Sequence, residues 1–503
     1  MQTALNRVEG AFFSPDGRVS GLMLAALIVA GGLFAALLVA VAGPMYAVAA
    51  LVGAIGAVLV LRDMRWGFIL LLAVVALLPF AALPVKIVFT PTFLDVALAA
   101  LYFVWILRLA TRRQAGLSGT VLNVLVLLFL ALAGFAFFNG LRFGMPTVTT
   151  MRNFAELALA IFFFFLVLGW TRDESQLYFL ARVIIVMGAG AAAIAVLFYV
   201  IPDTWTIRTL DALGRFNYPG GAGALRYIED DPENAMRAIG TMVDPNVLGG
   251  FMILIAALTA PQLVSVKPLF RRWLVALFLV IELAALYLTY SRGSLVGLAV
   301  AVLVMGVMRY RKLLWLAAAA GILLLLLPPA QAYVARFVEG IQLQDQATLM
   351  RLGEYRDAVG LISRYPWFGV GFSGSPDADL YVGVSSVYLL MAEEMGLVGV
   401  VIFLITILAF FMVLWQGWRR LVHSGQPNPR LEALLLGIGA AVAGAMVGGV
   451  FDHYLFNLVY PHMAVLFWLY LGLGVRASQL ALGRGDGEVV SRLTDPARAG
   501  TTC

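Results

Sequence analysis

The sequence predicts an all-α, polytopic integral membrane protein with about 14 spanning helices, and three observations support this. Hydrophobic residues make up 62% of the 503 residues and charged residues 12%, and the mean hydropathy is +0.95. Apolar runs of roughly 17–25 residues, the length that crosses a bilayer as a helix, recur along almost the whole chain. The runs are continuous, whereas strands of a membrane barrel alternate apolar and polar residues, so the pattern favours helices.

The predicted spans are 21–42, 45–61, 67–82, 93–110, 120–138, 154–171, 177–201, 245–265, 272–290, 293–308, 313–328, 396–417, 431–450 and 459–475. Cytoplasmic connections of membrane proteins are enriched in lysine and arginine. With the N-terminal segment 1–20 in the cytoplasm, the basic clusters between spans all fall on the cytoplasmic side. These clusters are Arg62/Arg65, Arg112/Arg113, Arg172, Lys267/Arg271/Arg272, Arg309/Arg311/Lys312 and Arg419/Arg420/Arg430. The sequence therefore predicts a transmembrane domain over 21–475 and a disordered cytoplasmic tail over 476–503.

The net charge and the cysteine content restrict the classes of partner and the kinds of metal or disulfide site that the chain can have. The net charge of +6 is explained by basic cytoplasmic ends that face anionic membrane lipids, so no nucleic-acid partner is predicted. The single cysteine, Cys503, excludes disulfides within the chain and cysteine-based metal sites. No set of His, Cys and carboxylate residues has the spacing of a metal site, and the prediction is that no cofactor is used.

Two of the predicted outward loops are long, 202–244 and 329–395. The first has mixed charge and a glycine-rich tip, which is typical of a solvated cover. In the second, apolar residues recur at helical spacing over 347–363, which predicts an amphipathic helix. Pro366 and the glycines that follow it predict a tight turn after this helix.

Three short polar blocks face the same predicted outer side of the membrane. They read Gly240-Thr241-Met242-Val243-Asp244-Pro245-Asn246, Thr289-Tyr290-Ser291-Arg292-Gly293-Ser294, and Arg351-Leu352 followed by Tyr355. Helix capping by Asp244, with Pro245 in the first turn, accounts for the first block. Anchoring at the membrane interface accounts for Arg292. A guanidinium is also a bidentate donor that stays charged at physiological pH, so Arg292 and Arg351 are candidates to bind phosphate.

Two further runs complete the pattern, Tyr365-Pro366-Trp367-Phe368-Gly369-Val370-Gly371 and Ser385-Ser386-Val387-Tyr388-Leu389-Leu390 with the later Glu394-Met395-Gly396-Leu397-Val398-Gly399. In this order, the blocks resemble the O-antigen ligase and O-antigen polymerase family over residues 235–475. Its members are membrane enzymes that transfer glycans from a polyprenyl-diphosphate carrier. The chain departs from the ligases at one pair of positions, where Ser385 and Ser386 stand in place of a histidine and the polar residue after it.

The resemblance implies roles for particular residues. Diphosphate binding is predicted for Arg292, Arg351 and Arg356. Other substrate contacts are predicted for Ser291, Tyr355, Asn246, Ser386 and Glu394. Cations held in place beside a leaving diphosphate stabilise the charge that develops on it, so such an enzyme would not need a metal.

The missing ligase histidine leaves the general base open. His453, beside Asp452 at the outer end of a predicted span, is the first candidate, since a carboxylate can orient an imidazole. The alternative for His453 is an interfacial residue that hydrogen-bonds to lipid headgroups. If no enzyme base is needed, Ser385 would only orient the acceptor hydroxyl.

The predicted function is polymerisation of undecaprenyl-diphosphate-linked oligosaccharides at the outer leaflet of the bacterial inner membrane, in cell-surface polysaccharide biosynthesis. The second reading is ligase-type transfer of the glycan to a lipid or protein acceptor. A rival from another class is a glycolipid transporter or flippase, for which paired repeats would be the evidence, or a non-catalytic glycolipid-binding protein. The predicted partners are the lipid-linked oligosaccharide and membrane lipids.

Overall fold

A computed structural model of the chain describes residues 53, 55–84, 89–111, 119–326, 331, 334, 338, 342, 346–374, 383–423 and 427–483. By its internal contacts the chain divides into two units, residues 1–67 and residues 68–503. The described part of the first unit is mostly helical. The candidate functional residues all belong to the second unit.

The described residues form α-helices and short 3₁₀ segments, with two isolated β-bridges and no named strand. Numbered in chain order, the α-helices are α1 (Met64–Leu77), α2 (Phe93–Ala110), α3 (Val121–Gly140), α4 (Val148–Trp170), α5 (Glu174–Val200), α6 (Asp203–Leu213), α7 (Pro245–Val264), α8 (Arg272–Leu288), α9 (Arg292–Met308), α10 (Arg311–Leu325), α11 (Gln346–Arg364), α12 (Val387–His423), α13 (Pro429–Phe451) and α14 (Pro461–Ala481). The predicted all-α class is confirmed.

Eight of the described helices are long and apolar enough to cross a membrane, namely α2, α3, α4, α5, α7, α12, α13 and α14. Each coincides with one of the predicted spans, so the integral membrane character is confirmed. The shorter apolar helices α1 and α9 also overlap predicted spans. The predicted span 21–42 and most of 45–61 lie outside the described residues. The total of about 14 spans and their orientation stay predictions.

Close packing of small residues joins the helices that carry the candidate site. A Cβ added to Gly297 of α9 would lie 2.7 Å from the carbonyl oxygen of Gly444 in α13, and one added to Gly444 would lie 2.6 Å from the Gly297 carbonyl oxygen. Glycine at both positions lets the two backbones approach, which is how membrane helices gain packing energy without a hydrophobic driving force. The start of α9 is thereby fixed against the end of α13.

Helix α12 is interrupted at Gly396, whose φ of +71° and ψ of 179° are not helical. The segment after α11 fills this break: the amides of Val370 and Gly371 donate to the carbonyls of Glu393 and Glu394, at 2.8 and 3.0 Å. In return, the amide of Leu397 donates to the Pro366 carbonyl at 2.8 Å. The boundary predicted at residue 395, between loop and span, therefore falls at a break between two helical segments. Buried backbone groups freed at the break find partners in the neighbouring turn.

The predicted loop 202–244 is folded against the helix ends. Leu210 of α6, Tyr218 and Ile239 are buried in one apolar cluster with Phe198 from the end of α5. The predicted amphipathic helix over 347–363 is confirmed by α11.

Candidate functional site

The turn from α8 to α9 holds the first predicted arginine. Tyr290 in this turn has a φ of +53°, a left-handed conformation that is rare for a residue with a large side chain. Arg292 is the first residue of α9, and the buried Ser291 is its N-cap residue. The Ser294 hydroxyl donates to the Ser291 hydroxyl at 2.9 Å. A Cβ added to Gly249 of α7 would lie 2.3 Å from the Ser294 hydroxyl, so α7 packs directly on this turn.

Arg237 joins the first two sequence blocks, although the sequence did not mark it as a site residue. Its Nη2 donates to the side-chain oxygen of Asn246 at 2.7 Å, and its Nε donates to the carbonyl of Thr289 at 2.8 Å. Asn246, predicted to contact substrate, thus accepts a hydrogen bond from an arginine of the preceding loop. The only signal in the sequence was a basic residue three positions before the Gly240 block. Asp244 caps α7 through the amides of Asn246 and Val247, as predicted.

The second and third blocks meet at α11. An Nη2 of Arg292 donates to the Thr348 hydroxyl at 3.4 Å. Thr348 and Arg351 are three residues apart on one helix, and residues at this spacing lie on the same side. Arg292 therefore reaches α11 about one turn from Arg351.

Asp452 lies at the centre of the charged groups at this end of the bundle. Burial raises the pKa of its carboxyl above the ordinary value, and the nearby charges of His453 and Arg351 oppose the rise while that of Asp244 adds to it. The side chain is 14% exposed. Besides its neighbour His453, residues from two distant segments of the sequence, Asp244 and Arg351, are therefore within electrostatic reach of this carboxylate.

His453 is held beside this carboxylate by its backbone. Its amide donates to Asp452 Oδ1 at 2.7 Å, whereas its ring Nδ1 lies 3.7 Å from the same oxygen. The second distance permits an ion pair when the ring is protonated but is too long for a hydrogen bond. The imidazole is 25% exposed, and its Nδ1 is buried without a hydrogen-bond partner among the described residues.

Ser385 is fixed by α11 through its main chain. Its amide donates to the Glu354 carboxylate at 2.9 Å, and its carbonyl lies 3.3 Å from the Tyr355 hydroxyl. The same hydroxyl donates to the carbonyl of Val450, near the end of α13, at 3.1 Å. Tyr355 thus ties α11 to the segment before α12 and to the residues just before Asp452.

The remaining predicted residues lie at different depths. Ser386 is 4% exposed, and its carbonyl accepts from the Leu390 amide in the first turn of α12. Arg356 is exposed on α11. Glu394 is buried at the break in α12. Among the described residues, no hydrogen bond or ion pair joins Arg356 or Glu394 to the Asp452 carboxylate.

Tyr460 is a further neighbour that the sequence did not indicate. Its ring centre lies 6.3 Å from that of His453, and its hydroxyl is within electrostatic reach of Asp244 and Asp452. Burial, with a smaller contribution from Asp244, raises the pKa of this hydroxyl. Like that of an ordinary tyrosine, this hydroxyl is protonated at neutral pH and can donate a hydrogen bond.

A site with this composition suits a reaction in which negative charge develops on a leaving group. Guanidinium groups supply donors for an anion, and an imidazole beside a carboxylate can accept a proton. Within the described residues, no group of three or more His, Cys, Asp or Glu side chains could hold a metal ion.

A family model described as O-antigen ligase matches residues 275–404, from within α8 to within α12. The family resemblance is confirmed over this segment. The segment contains Arg292, Arg351, Tyr355 and Ser385 but not Asp452 and His453. No curated protein matches the chain. The match to the O-antigen ligase family supports the broad class predicted from the sequence, a membrane protein of glycan transfer.

Proposed function

We propose that this chain is a glycosyltransferase of the bacterial inner membrane that polymerises undecaprenyl-diphosphate-linked oligosaccharides at the outer leaflet. One observation carries the proposal. Arg292 contacts α11 one turn from Arg351, and the charge of Arg351 acts on Asp452 beside His453. Cationic groups and a candidate base from distant parts of the sequence therefore lie at one end of the helix bundle.

The arginines would act on the diphosphate. In the transfer, an acceptor hydroxyl attacks the anomeric carbon of the donor glycan, and the bond from that carbon to the diphosphate oxygen breaks. Negative charge moves onto the diphosphate as this bond breaks. Guanidinium donors already in place stabilise the charge more in the transition state than in the ground state, which lowers the barrier.

His453 would accept the proton that the acceptor hydroxyl loses. Its Nδ1 faces Asp452, so the other ring nitrogen would take the proton while Asp452 stabilises the imidazolium that forms. Ser385, held by Glu354 and Tyr355, would orient the acceptor hydroxyl. After the transfer, the diphosphate remains on its polyprenyl carrier, and the donor glycan is joined to the acceptor by the new glycosidic bond.

The second candidate is ligase-type transfer to a lipid or protein acceptor, and the description of the matched family favours it. The replacement of the ligase histidine by Ser385 favours the polymerase. Deletion of the gene, followed by gel analysis of surface and lipid-linked glycans, separates the two. A polymerase predicts single repeat units after deletion, and a ligase predicts full-length chains that remain on the carrier. Unchanged surface and lipid-linked glycans would contradict both.

A further inference from the structure

A partly open cavity of about 240 Å³, lined by both apolar and polar side chains, lies outside the segment matched by the family model. It is lined by the segment before α2, the first turns of α4 and the segment before α14. The side chains on which the argument rests are those of Phe80, Thr92, Arg152, Asn153 and Glu156. The volume is below the roughly 300–1,000 Å³ of sites for drug-sized ligands, so the cavity suits one small ring.

Two buried polar atoms of the residues that line this cavity have no hydrogen-bond partner among the described residues. Glu156 is 2% exposed, and its Oε1 accepts from the Thr92 hydroxyl at 2.9 Å. Its Oε2 and the Nε of Arg152 are buried without a hydrogen-bond partner among the described residues. Leaving a buried donor or acceptor unsatisfied costs about 1–3 kcal/mol, so a ligand that satisfies both groups is favoured.

The rest of the Arg152 guanidinium is already engaged. Its Nη1 donates to the Thr90 carbonyl at 3.1 Å, and its Nη2 donates to the side-chain oxygen of Asn153 at 2.9 Å. The same Nη2 lies 3.5 Å from Glu156 Oε2, within ion-pair distance. The carboxylate of Asp95, which accepts from the Thr92 amide, is a further neighbour of Glu156. One cation therefore faces two carboxyl groups.

This arrangement selects among ligand classes. An anion such as phosphate supplies acceptors only and would be repelled by the carboxyl groups. An alkyl or polyprenyl chain would leave Arg152 Nε and Glu156 Oε2 unsatisfied. A hydroxyl group both donates and accepts, so neighbouring hydroxyls on one ring match a donor beside an acceptor. The Phe80 ring adds an apolar surface for the C–H face of such a ring.

The cavity adjoins the candidate site through a row of aromatic rings. The ring centre of Phe80 lies 6.3 Å from that of Tyr460, which in turn lies 6.3 Å from that of His453. Phe80 also packs edge-on against His462 at 5.4 Å. Tyr460 therefore stands between the cavity and the charged cluster around Asp452.

We propose that this cavity binds an uncharged sugar ring of the lipid-linked glycan, a subsite beside the residues that would act on the diphosphate. The inference rests on the proposed function, because the ligand is part of the same substrate. The two ideas make separate predictions, since this cavity would recognise the glycan and the arginines would recognise the diphosphate.

The test compares two probes bound to the purified full-length chain in lipid nanodiscs. One probe is the lipid-linked glycan extracted from cells that lack the chain, and the other is undecaprenyl diphosphate without sugar. Asn153→Ala removes the acceptor that holds Arg152 and a donor at the cavity wall. It should weaken binding of the first probe about tenfold, equivalent to 1.4 kcal/mol, and leave binding of the second unchanged. Glu156→Gln, which keeps the size of the side chain, should also act on the first probe alone.

Two controls make the outcome specific. Asn234→Ala is the same substitution outside the cavity, at an exposed residue, and should leave the affinity for both probes unchanged. Arg351→Ala should weaken both probes. Equal binding of the glycan probe by the wild-type chain, Asn153→Ala and Glu156→Gln would overturn the sugar subsite while leaving the proposed function in place. Failure of the wild-type chain to bind either probe would overturn the proposed function and the subsite together.

Discussion

At the scale of single residues, Arg351 and Arg356 provide a matched pair on one helix. Both are arginines of α11, but only the charge of Arg351 acts on Asp452, and Arg356 is exposed. A lysine keeps the charge but loses the planar pair of donors that fits a phosphate. We expect Arg351→Lys to lower the transfer rate ten- to a hundredfold, the size of a lost charge-assisted hydrogen bond, and Arg356→Lys to lower it far less. The measurement is transfer in proteoliposomes at saturating donor. Equal losses from both variants would argue against a special role for Arg351.

His453 and Ser385 represent the two accounts of proton removal. If His453 is the base, His453→Ala should lower the rate at least about a hundredfold, the low end for loss of a general base, while Ser385→Ala should have a small effect. The measurement is the length and amount of polymer made by membranes that contain equal quantities of folded protein. Full-length polymer from His453→Ala would remove this histidine from the site.

The raised pKa of Asp452 leads to a prediction of how activity depends on pH. Because burial raises the pKa of its carboxyl, the group takes up its proton at a higher pH than an ordinary aspartate, whose pKa is about 3.9. Protonation removes the charge that attracts His453 and Arg351. As the pH falls through the raised pKa, activity should therefore decline, and the decline should begin above the pH expected for an exposed aspartate. The test is the pH–rate profile: Asp452→Asn should be less active at neutral pH and should lack this acid limb, and a variant that retains the limb would assign it to another group.

At the scale of elements, the helices were predictable and their interruption was not. Continuous apolar runs predict helices from local composition, and the turn residues Pro366, Gly369 and Gly371 predict the end of α11. The docking of this turn into the break at Gly396 depends on residues about 25 positions away, so no local pattern indicates it. The same limit applies to Arg237, whose partners Asn246 and Thr289 lie on different helical segments. The sequence pattern identified the individual polar blocks, whereas the long-range contacts that join them can be seen only in the folded structure.

Substitution of two glycines can test how much the docking of this turn into the break of α12 contributes to the stability of the fold. Gly371 has a φ of +79°, and a Cβ there would lie 2.6 Å from the Ala136 carbonyl oxygen and from the Gly140 Cα at the end of α3. Gly374 also has a positive φ, of +109°, but an added Cβ would meet no atom of the described residues within 4 Å. Gly374→Ala should therefore cost only the backbone strain, about 1–3 kcal/mol, whereas Gly371→Ala should cost more because of the collision. Thermal unfolding in detergent gives the comparison, and equal melting temperatures for the two variants would show that the turn can move away from α3 without cost.

At the scale of the whole molecule, the site depends on helices from both halves of the second unit. Family-matched residues come from α8 to α12, whereas Asp452 and His453 follow α13, and the proposed sugar cavity is formed from residues near α2, α4 and α14. These parts can share one substrate only if they open on the same side of the membrane. Helix packing brings the helix ends together, and the distribution of arginines predicts which side they face.

Orientation is therefore the prediction on which the proposed chemistry depends most. The positive-inside pattern puts loops 202–244 and 329–395 outside and both termini inside. Reporter fusions at Gly221 and at Asp345, which lies outside the described residues, should behave as exported, and a fusion at Gly483 after α14 should behave as cytoplasmic. Lipid-linked glycans for surface polysaccharide would then meet Arg292, Arg351 and Asp452 at the outer leaflet. A cytoplasmic signal at Gly221 would place the cluster on the side that faces the cytoplasm, where the donor would have to be used before it crosses the membrane. The polymerase assignment would then have to be abandoned, even though the helices and the contacts among these residues would be unchanged.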